Sequence, residues 1–223
     1  YAFAKAAVML RYGMPIYRLP REILDAEIQR ILDLGVELKC GMTIGQDVTL
    51  DELRSEYGAV YLAIGAHQGR KMGIPGEDGP GVYTGTDFLN KANSGGELDV
   101  GGRVVVIGGG DTAVDAARVC KRLTSDSAAI SKRMGAEVTI LYRRTRAEMP
   151  AIEQEIEEAE EEAIRLEYLA APIKILREDG AVRGMIVQRM QLGEPDESGR
   201  RRPEPIEGDT YEIERETIVM AVS

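Results

Sequence analysis

Apolar side chains recur at helical spacing between residues 21 and 34, at Ile23, Leu24, Ile28, Ile31, Leu32 and Leu34. Pro20 before the run and Gly35 after it supply start and stop signals, so the pattern predicts a helix. Residues 36–39 then read as a short strand and 51–56 as a brief helix. The run AVYLAI at 59–64, bounded by Gly58 and Gly65, reads as a short buried strand. This first third alternates helix and strand, as a parallel α/β layer does.

Between Gly69 and Gly102 the texture changes. Gly and Pro cluster at Gly73, Pro75, Gly76, Gly79, Pro80 and Gly81, and glycine returns at Gly95 and Gly96. The stretch reads as a connector holding a short helix near residues 87–91, with a domain boundary between 80 and 100. The division expected is 1–85 and 86–223. The second part opens with the strand 103–107, followed by a helix over about 111–123. A polar stretch at 124–135 fits a helix extension or a surface insertion. EVTILY at 137–142 is the next strand, and a charged helix covers roughly 151–164. Residues 173–177, 182–192 and 211–214 then form strand patterns separated by the turn signals Asp179-Gly180 and 194–199, which predicts a three-stranded antiparallel meander. Residues 218–222 are expected to return to the parallel sheet. A faint echo links YLAIGA at 61–66 with IVMAVS at 218–223, both apolar strands that end in small residues.

Composition narrows the class. Hydrophobic residues make up 43% of the 223 positions, enough for cores. No window approaches the ~18 uninterrupted apolar residues of a membrane span, and the N-terminus lacks the basic start and cleavage site of a signal peptide. The net charge of −10 argues against general nucleic-acid binding. Much of the acid sits in EQEIEEAEEE at 153–162, expected to be a solvated helix face, with a partner-docking surface as the sharper alternative. Cys40 and Cys120 form no CxxC pair, which argues against an iron–sulfur cluster, a zinc site or a redox disulfide within the chain and fits a cytoplasmic protein. The chain does not begin with Met, and its last residues fall inside a strand pattern, as expected of a domain cut from a longer protein.

The chemistry concentrates at VVVIGGGDTAVDAA, residues 104–117. An apolar strand feeds Gly108-Gly109-Gly110-Asp111-Thr112-Ala113, a Gly-x-Gly-x-x-Ala pattern, and an Ala-rich helix follows. Gly108 permits the tight turn. Gly110 leaves no side chain where a pyrophosphate must approach the backbone, and Ala113 allows close helix–strand packing. The phosphates would sit on the free amides and positive dipole end of the new helix. Asp111 has two readings, a place near the nicotinamide-side diphosphate or stabilisation of the helix start, and for Thr112 a hydrogen bond to a phosphate and a cap on the turn stand equally open. The next strand ends not in an acid but in Arg143-Arg144, with Arg146 close by. Guanidinium groups suit a 2′-phosphate, so NADP is favoured over NAD. The spacing from Gly108 exceeds the usual ~20 residues, and the polar insert supplies most of the excess. The single histidine, His67, has no neighbouring nucleophile and makes no triad. Cys120 reads as packing. No catalytic residue is expected, because hydride transfer between nicotinamide and flavin depends on positioning.

Several segments together resemble the NAD(P)H-dependent flavoprotein family of the glutamate synthase small (beta) subunit. They are LRYGMPIYRLP at 10–20, YLAIGA at 61–66, GIPGE at 73–77, VVVIGGGDTAVDAAR at 104–118 and LYRRTRAEMPA at 141–151. The resemblance implies an α/β fold: a Rossmann-like NAD(P)-binding domain with a parallel sheet and an antiparallel meander, plus part of a flanking FAD-binding domain. It implies NADP(H) on Gly108, Gly109, Gly110, Asp111, Thr112 and Ala113, with Arg143 and Arg144 on the 2′-phosphate. Arg18 and the turn from Ala63 to Gly65 would lie beside FAD. The family's first FAD glycine motif is expected before Tyr1 and its last flavin segment after Ser223. The implied activity passes hydride from NADPH to FAD and electrons on to an iron–sulfur or flavin partner, with the glutamate synthase large subunit as leading candidate. The alternatives are a ferredoxin–NADP or quinone-linked reductase and, in another class, a nucleotide-sensing scaffold.

Overall fold

A computed structural model describes residues 3–125, 135–197 and 199–222. Contacts divide the chain into two units, Tyr1–His67 and Gln68–Ser223. The division lies upstream of the expected 85/86 boundary because residues 82–84 already belong to the sheet of the second unit.

Among its described residues the first unit holds one π-turn, Met9–Gly13, and two helices, α1 (Arg21–Leu32) and α2 (Leu50–Glu56). Arg11, 6% exposed, is ion-paired with Asp25 on α1. Arg21 donates to the carbonyls of Leu10 at 3.0 Å and Met14 at 2.9 Å. These bonds fix the LRYGM segment to the start of α1. A capping box joins Thr49 and Glu52 at the head of α2.

Neither expected strand of this unit forms. Residues 36–39 and 59–64 lie outside any strand or helix. The side chains of 59–64 are not buried: Tyr61 is 92% exposed and Ile64 73%. An apolar run becomes a strand only when a neighbour pairs its amides and carbonyls, and no described residue does so here.

The second unit is built on a five-stranded parallel sheet in the order β1-β8-β2-β3-β4. Its strands are β1 (Val82–Thr84), β2 (Arg103–Ile107), β3 (Glu137–Tyr142), β4 (Arg165–Tyr168) and β8 (Thr217–Met220). Helix α3 (Gly85–Asn93) follows β1, α4 (Asp111–Ser125) joins β2 to β3, and α5 (Glu153–Glu161) joins β3 to β4. The polar insert falls mostly on 126–134, outside the described residues. Val104, Val106, Val138 and Ile140 are fully buried or nearly so, and α4 packs on β2 and β3.

The alternate residues of the same strands face an antiparallel meander of β5 (Ala170–Glu178), β6 (Ala181–Pro195) and β7 (Arg201–Glu214). Val105, Ile107, Leu141, Ile218 and Met220 form one core cluster with Ile175, Met185 and Val187 of the meander. Asp179 (φ 50°) and Gly180 (φ 82°) make the β5–β6 turn, both in the left-handed region that a two-residue hairpin demands.

The acidic helix α5 is less solvated than its composition suggests. Arg118 of α4 is 5% exposed and holds Glu155 at 2.6 Å, Glu158 at 2.8 Å and Glu162 at 2.8 Å. One face of the run therefore clamps α5 to α4, and only the remainder meets water. Cys120 is fully buried, and that burial pushes its thiol pKa upward, as suits packing. Among the described residues no helix is long and apolar enough to cross a membrane, and no His, Cys, Asp and Glu group could hold a metal ion.

Candidate dinucleotide site

The turn after β2 is fixed by contacts that differ at each glycine. Gly108 has φ 145°, and a Cβ there would stand 2.2 Å from the carbonyl oxygen of Ala221 and 3.2 Å from the Cβ of Ala113. Backbone cannot yield cheaply, so glycine is required by the fold itself. Its amide donates to the Leu141 carbonyl at 3.0 Å, which ties the turn to the end of β3. A Cβ at Gly109 would enter the ring of Tyr142 at 2.5 Å. Gly110 is different. A Cβ there would meet only Pro150 Cγ at 3.8 Å, an ordinary contact. The protein therefore leaves open the space that a phosphate would use beside Gly110. The amides of Ala113 and Val114 already donate to the Gly110 carbonyl, at 2.9 and 3.2 Å. The amides that open α4 at Asp111 and Thr112 lack intrahelical acceptors, as at any helix start, and they face the same turn.

A loop that the motif alone does not disclose forms one wall. Ala151 donates its amide to the Gly109 carbonyl at 3.2 Å, and Ile152 donates its amide to the Asp111 carboxylate at 3.0 Å. Asp111 is thus turned toward the head of α5. Tyr142 donates its hydroxyl to the Glu148 carbonyl at 2.8 Å. Thr145 and Glu148 form a second capping box, and the Thr145 hydroxyl and amide hold the Glu148 carboxyl below its ordinary pKa. The S/T-x-x-E spacing of Thr145 and Glu148 was a readable signal for this turn. The ring of Tyr142 under Gly109 was not.

The two arginines at the end of β3 part company. Arg144, 6% exposed, donates Nε to the Arg201 carbonyl at 2.7 Å and pairs with Asp196 at 2.7 Å. Its guanidinium is committed to the tip of the β6–β7 hairpin. Arg143 is exposed and has no hydrogen-bond or ion-pair partner among the described residues. Arg146 pairs with Glu153 and Glu160, both at 2.7 Å. Of the three, Arg143 alone presents an uncommitted guanidinium.

In the first unit, Arg18 is half-buried, and Ala63 and Gly65 are exposed on a stretch without secondary structure. His67 is exposed too, with Nε2 2.9 Å from the Ile64 carbonyl oxygen. Among the described residues of this unit no strand–turn–helix surrounds these positions.

A sequence profile described as pyridine nucleotide-disulphide oxidoreductase matches residues 7–176. The chain belongs to that family. The NADPH-Fe(3+) oxidoreductase subunit beta of Geobacter sulfurreducens is 41% identical over 218 residues, covering 96% of this chain and 31% of that protein. The glutamate synthase [NADPH] small chain of Escherichia coli is 35% identical over 226 residues, covering 96% and 46%. The chain therefore spans about a third to a half of the length of these relatives. Among solved structures, FprA from Mycobacterium tuberculosis superposes with a TM-score of 0.82 at 21% identity, over 99% of this chain and 62% of that one, which shows a shared fold. The resemblance to glutamate synthase small subunits, first carried by the motifs, thus extends over nearly the whole of this family member.

Proposed function

We propose that this chain is the NADPH-binding part of a flavin-dependent oxidoreductase of the glutamate synthase small-subunit type. The observation that carries the proposal is the open space beside Gly110, at the head of α4, within a turn whose other two glycines are demanded by the fold. Gly108 to Ala113 would hold the diphosphate, through backbone amides and the positive end of the helix. Arg143 would take the 2′-phosphate, with Arg144 holding the strand end in place from the hairpin side. When bound, NADPH supplies a hydride and FAD accepts it. The residues described here bind and orient the donor. The whole protein would hand its electrons to an iron–sulfur or flavin partner in the cytoplasm, with a glutamate synthase large subunit leading. The name of the Geobacter relative, an Fe(3+) oxidoreductase subunit, supports keeping other acceptors in the same class.

Equilibrium titration with NADPH and NADH tests this reading. Arg143→Ala should weaken NADPH about 10- to 100-fold, since a charge-assisted phosphate contact is lost, and leave NADH unchanged. Gly110→Ala should fold with stability within about 0.5 kcal/mol of the parent, because no protein atom objects to it, yet weaken both nucleotides. Equal affinity for NADPH and NADH would overturn the 2′-phosphate assignment. Unchanged binding in Gly110→Ala would overturn the cradle.

A further inference from the structure

A polar cavity lies at the opposite end of the parallel sheet from the glycine turn. Its volume is about 480 Å³. Arg103 and Glu137, which open β2 and β3, line it together with Arg165, which opens β4. Arg103 stands opposite Glu137 and Thr139 opposite Arg165 in the parallel register. By the period-two alternation of strands they share a face with Val105 and Leu141, the face that the meander covers. The apolar contact ends at Val105 and Leu141, and beyond it the two sheets enclose charged side chains. Five residues of β2 span about 16 Å, so a ligand here would not touch a nucleotide at Gly108–Ala113.

Four guanidiniums and three carboxylates line this cavity, and not all of them are paired with one another. Glu214 is ion-paired with Arg103. Glu167 accepts the hydroxyl of Tyr211. Arg189 lies 4.5 Å over the Tyr211 ring, with its Nε 3.6 Å from Asp209. Two guanidiniums remain. Arg215 is 7% exposed. It donates to neutral oxygens only, the Glu214 carbonyl at 2.7 Å and the Thr139 hydroxyl at 3.3 Å, and its buried Nε has no hydrogen-bond partner. Arg165 has no carboxylate partner among the described residues. Glu137 is the lining acid without a partner, and it sits exposed at the rim. A buried guanidinium without a counter-ion is costly, and the guanidinium fork matches an oxyanion in two parallel bonds.

We propose that this cavity binds a small dianion with a phosphoryl head, held by Arg215 from within and Arg165 from the rim. Among the described residues neither guanidinium is held in an ion pair, so both forks can turn parallel donors toward the phosphate oxygens, in a lining that stays net positive. The volume beyond the head, walled by Tyr211 and Ile213, leaves room for a short organic tail.

Calorimetric titration of the chain with inorganic phosphate and with glycerol 3-phosphate, at fixed ionic strength, tests this. The expected result is saturable one-to-one binding, weakened about tenfold by Arg165→Gln and more by Arg215→Gln, and unchanged by Arg143→Ala. Arg165 is exposed at the start of an edge strand, so its variant keeps the fold even if the Arg215 variant does not. Tighter binding of glycerol 3-phosphate assigns the remaining volume to an organic tail, and equal binding assigns the site to free phosphate. Absence of saturable binding overturns the proposal. So does binding that Arg165→Gln leaves intact, or binding that Arg143→Ala or Gly110→Ala abolishes, because the phosphate would then sit in the nucleotide cradle.

Discussion

Two apolar runs of similar make-up end in small residues, VVVIGGG at 104–110 and YLAIGA at 61–66. The first is a central strand with Val104, Val105 and Val106 fully buried, paired to β8 on one side and β3 on the other. The second has no secondary structure, is unpaired among the described residues and is exposed, with Leu62 at 60% and Ile64 at 73%. Both are uninterrupted apolar runs, although VVVI is wholly β-branched and YLAI is not. The larger difference is the company of neighbouring strands, which satisfies the backbone and covers the side chains of the first run.

The sharpest way to break this contrast is a charge on each run. Val106→Asp buries an unpaired carboxylate beside α4 and should cost more than about 4 kcal/mol, enough to abolish the cooperative transition in denaturant. Ile64→Asp meets water and should stay within about 0.5 kcal/mol. Similar losses from both would mean that the second run is buried after all.

A subtler contrast compares the glycines that close the runs. Gly108→Ala drives a Cβ into the Ala221 carbonyl and should cost about 3 kcal/mol or more. Gly65 also has positive φ, at 66°, but a Cβ there would meet only His67 Nε2 at 3.6 Å. Its alanine variant should lose about 1 kcal/mol, the strain of the left-handed conformation alone. Urea midpoints would read the difference, and equal shifts would refute it.

The smallest effect compares the two capping boxes. Glu52 and Glu148 are each held below the ordinary carboxyl pKa, Glu52 chiefly by the Thr49 amide and Glu148 chiefly by the Thr145 hydroxyl. A carboxyl lowered on folding stabilises above its unfolded pKa, and the contribution fades as pH falls through the folded value. Glu148→Gln should therefore destabilise slightly at pH 7, with the difference shrinking to nothing in strong acid. Glu52→Gln should follow the same profile. A penalty that persists in acid would assign the effect to packing instead of charge.

Much of the second unit was legible in the sequence because its signals are local. The strand–glycine–helix series, the Asp179-Gly180 turn and the return of residues 218–220 to the parallel sheet all follow from patterns within a dozen positions. The features that escaped depend on distant partners. Arg143 and Arg144 are adjacent and chemically identical, yet Asp196, far along the chain, engages only Arg144. Glu155, Glu158 and Glu162 lie at i, i+3 and i+7, so their shared face was readable, but the buried Arg118 that gathers them was not. Residues 59–64 failed for the mirror reason, since periodicity registers a wish for neighbours and not their presence.

The β6–β7 hairpin covers the parallel sheet with one end, while its tip at Asp196 and Arg201 grips Arg144 beside the end of β3. An insertion or deletion near the tip would release a second guanidinium next to Arg143, so with Arg143 in its proposed place on a 2′-phosphate, the size of a hairpin would bear on coenzyme preference without any change to the glycine motif.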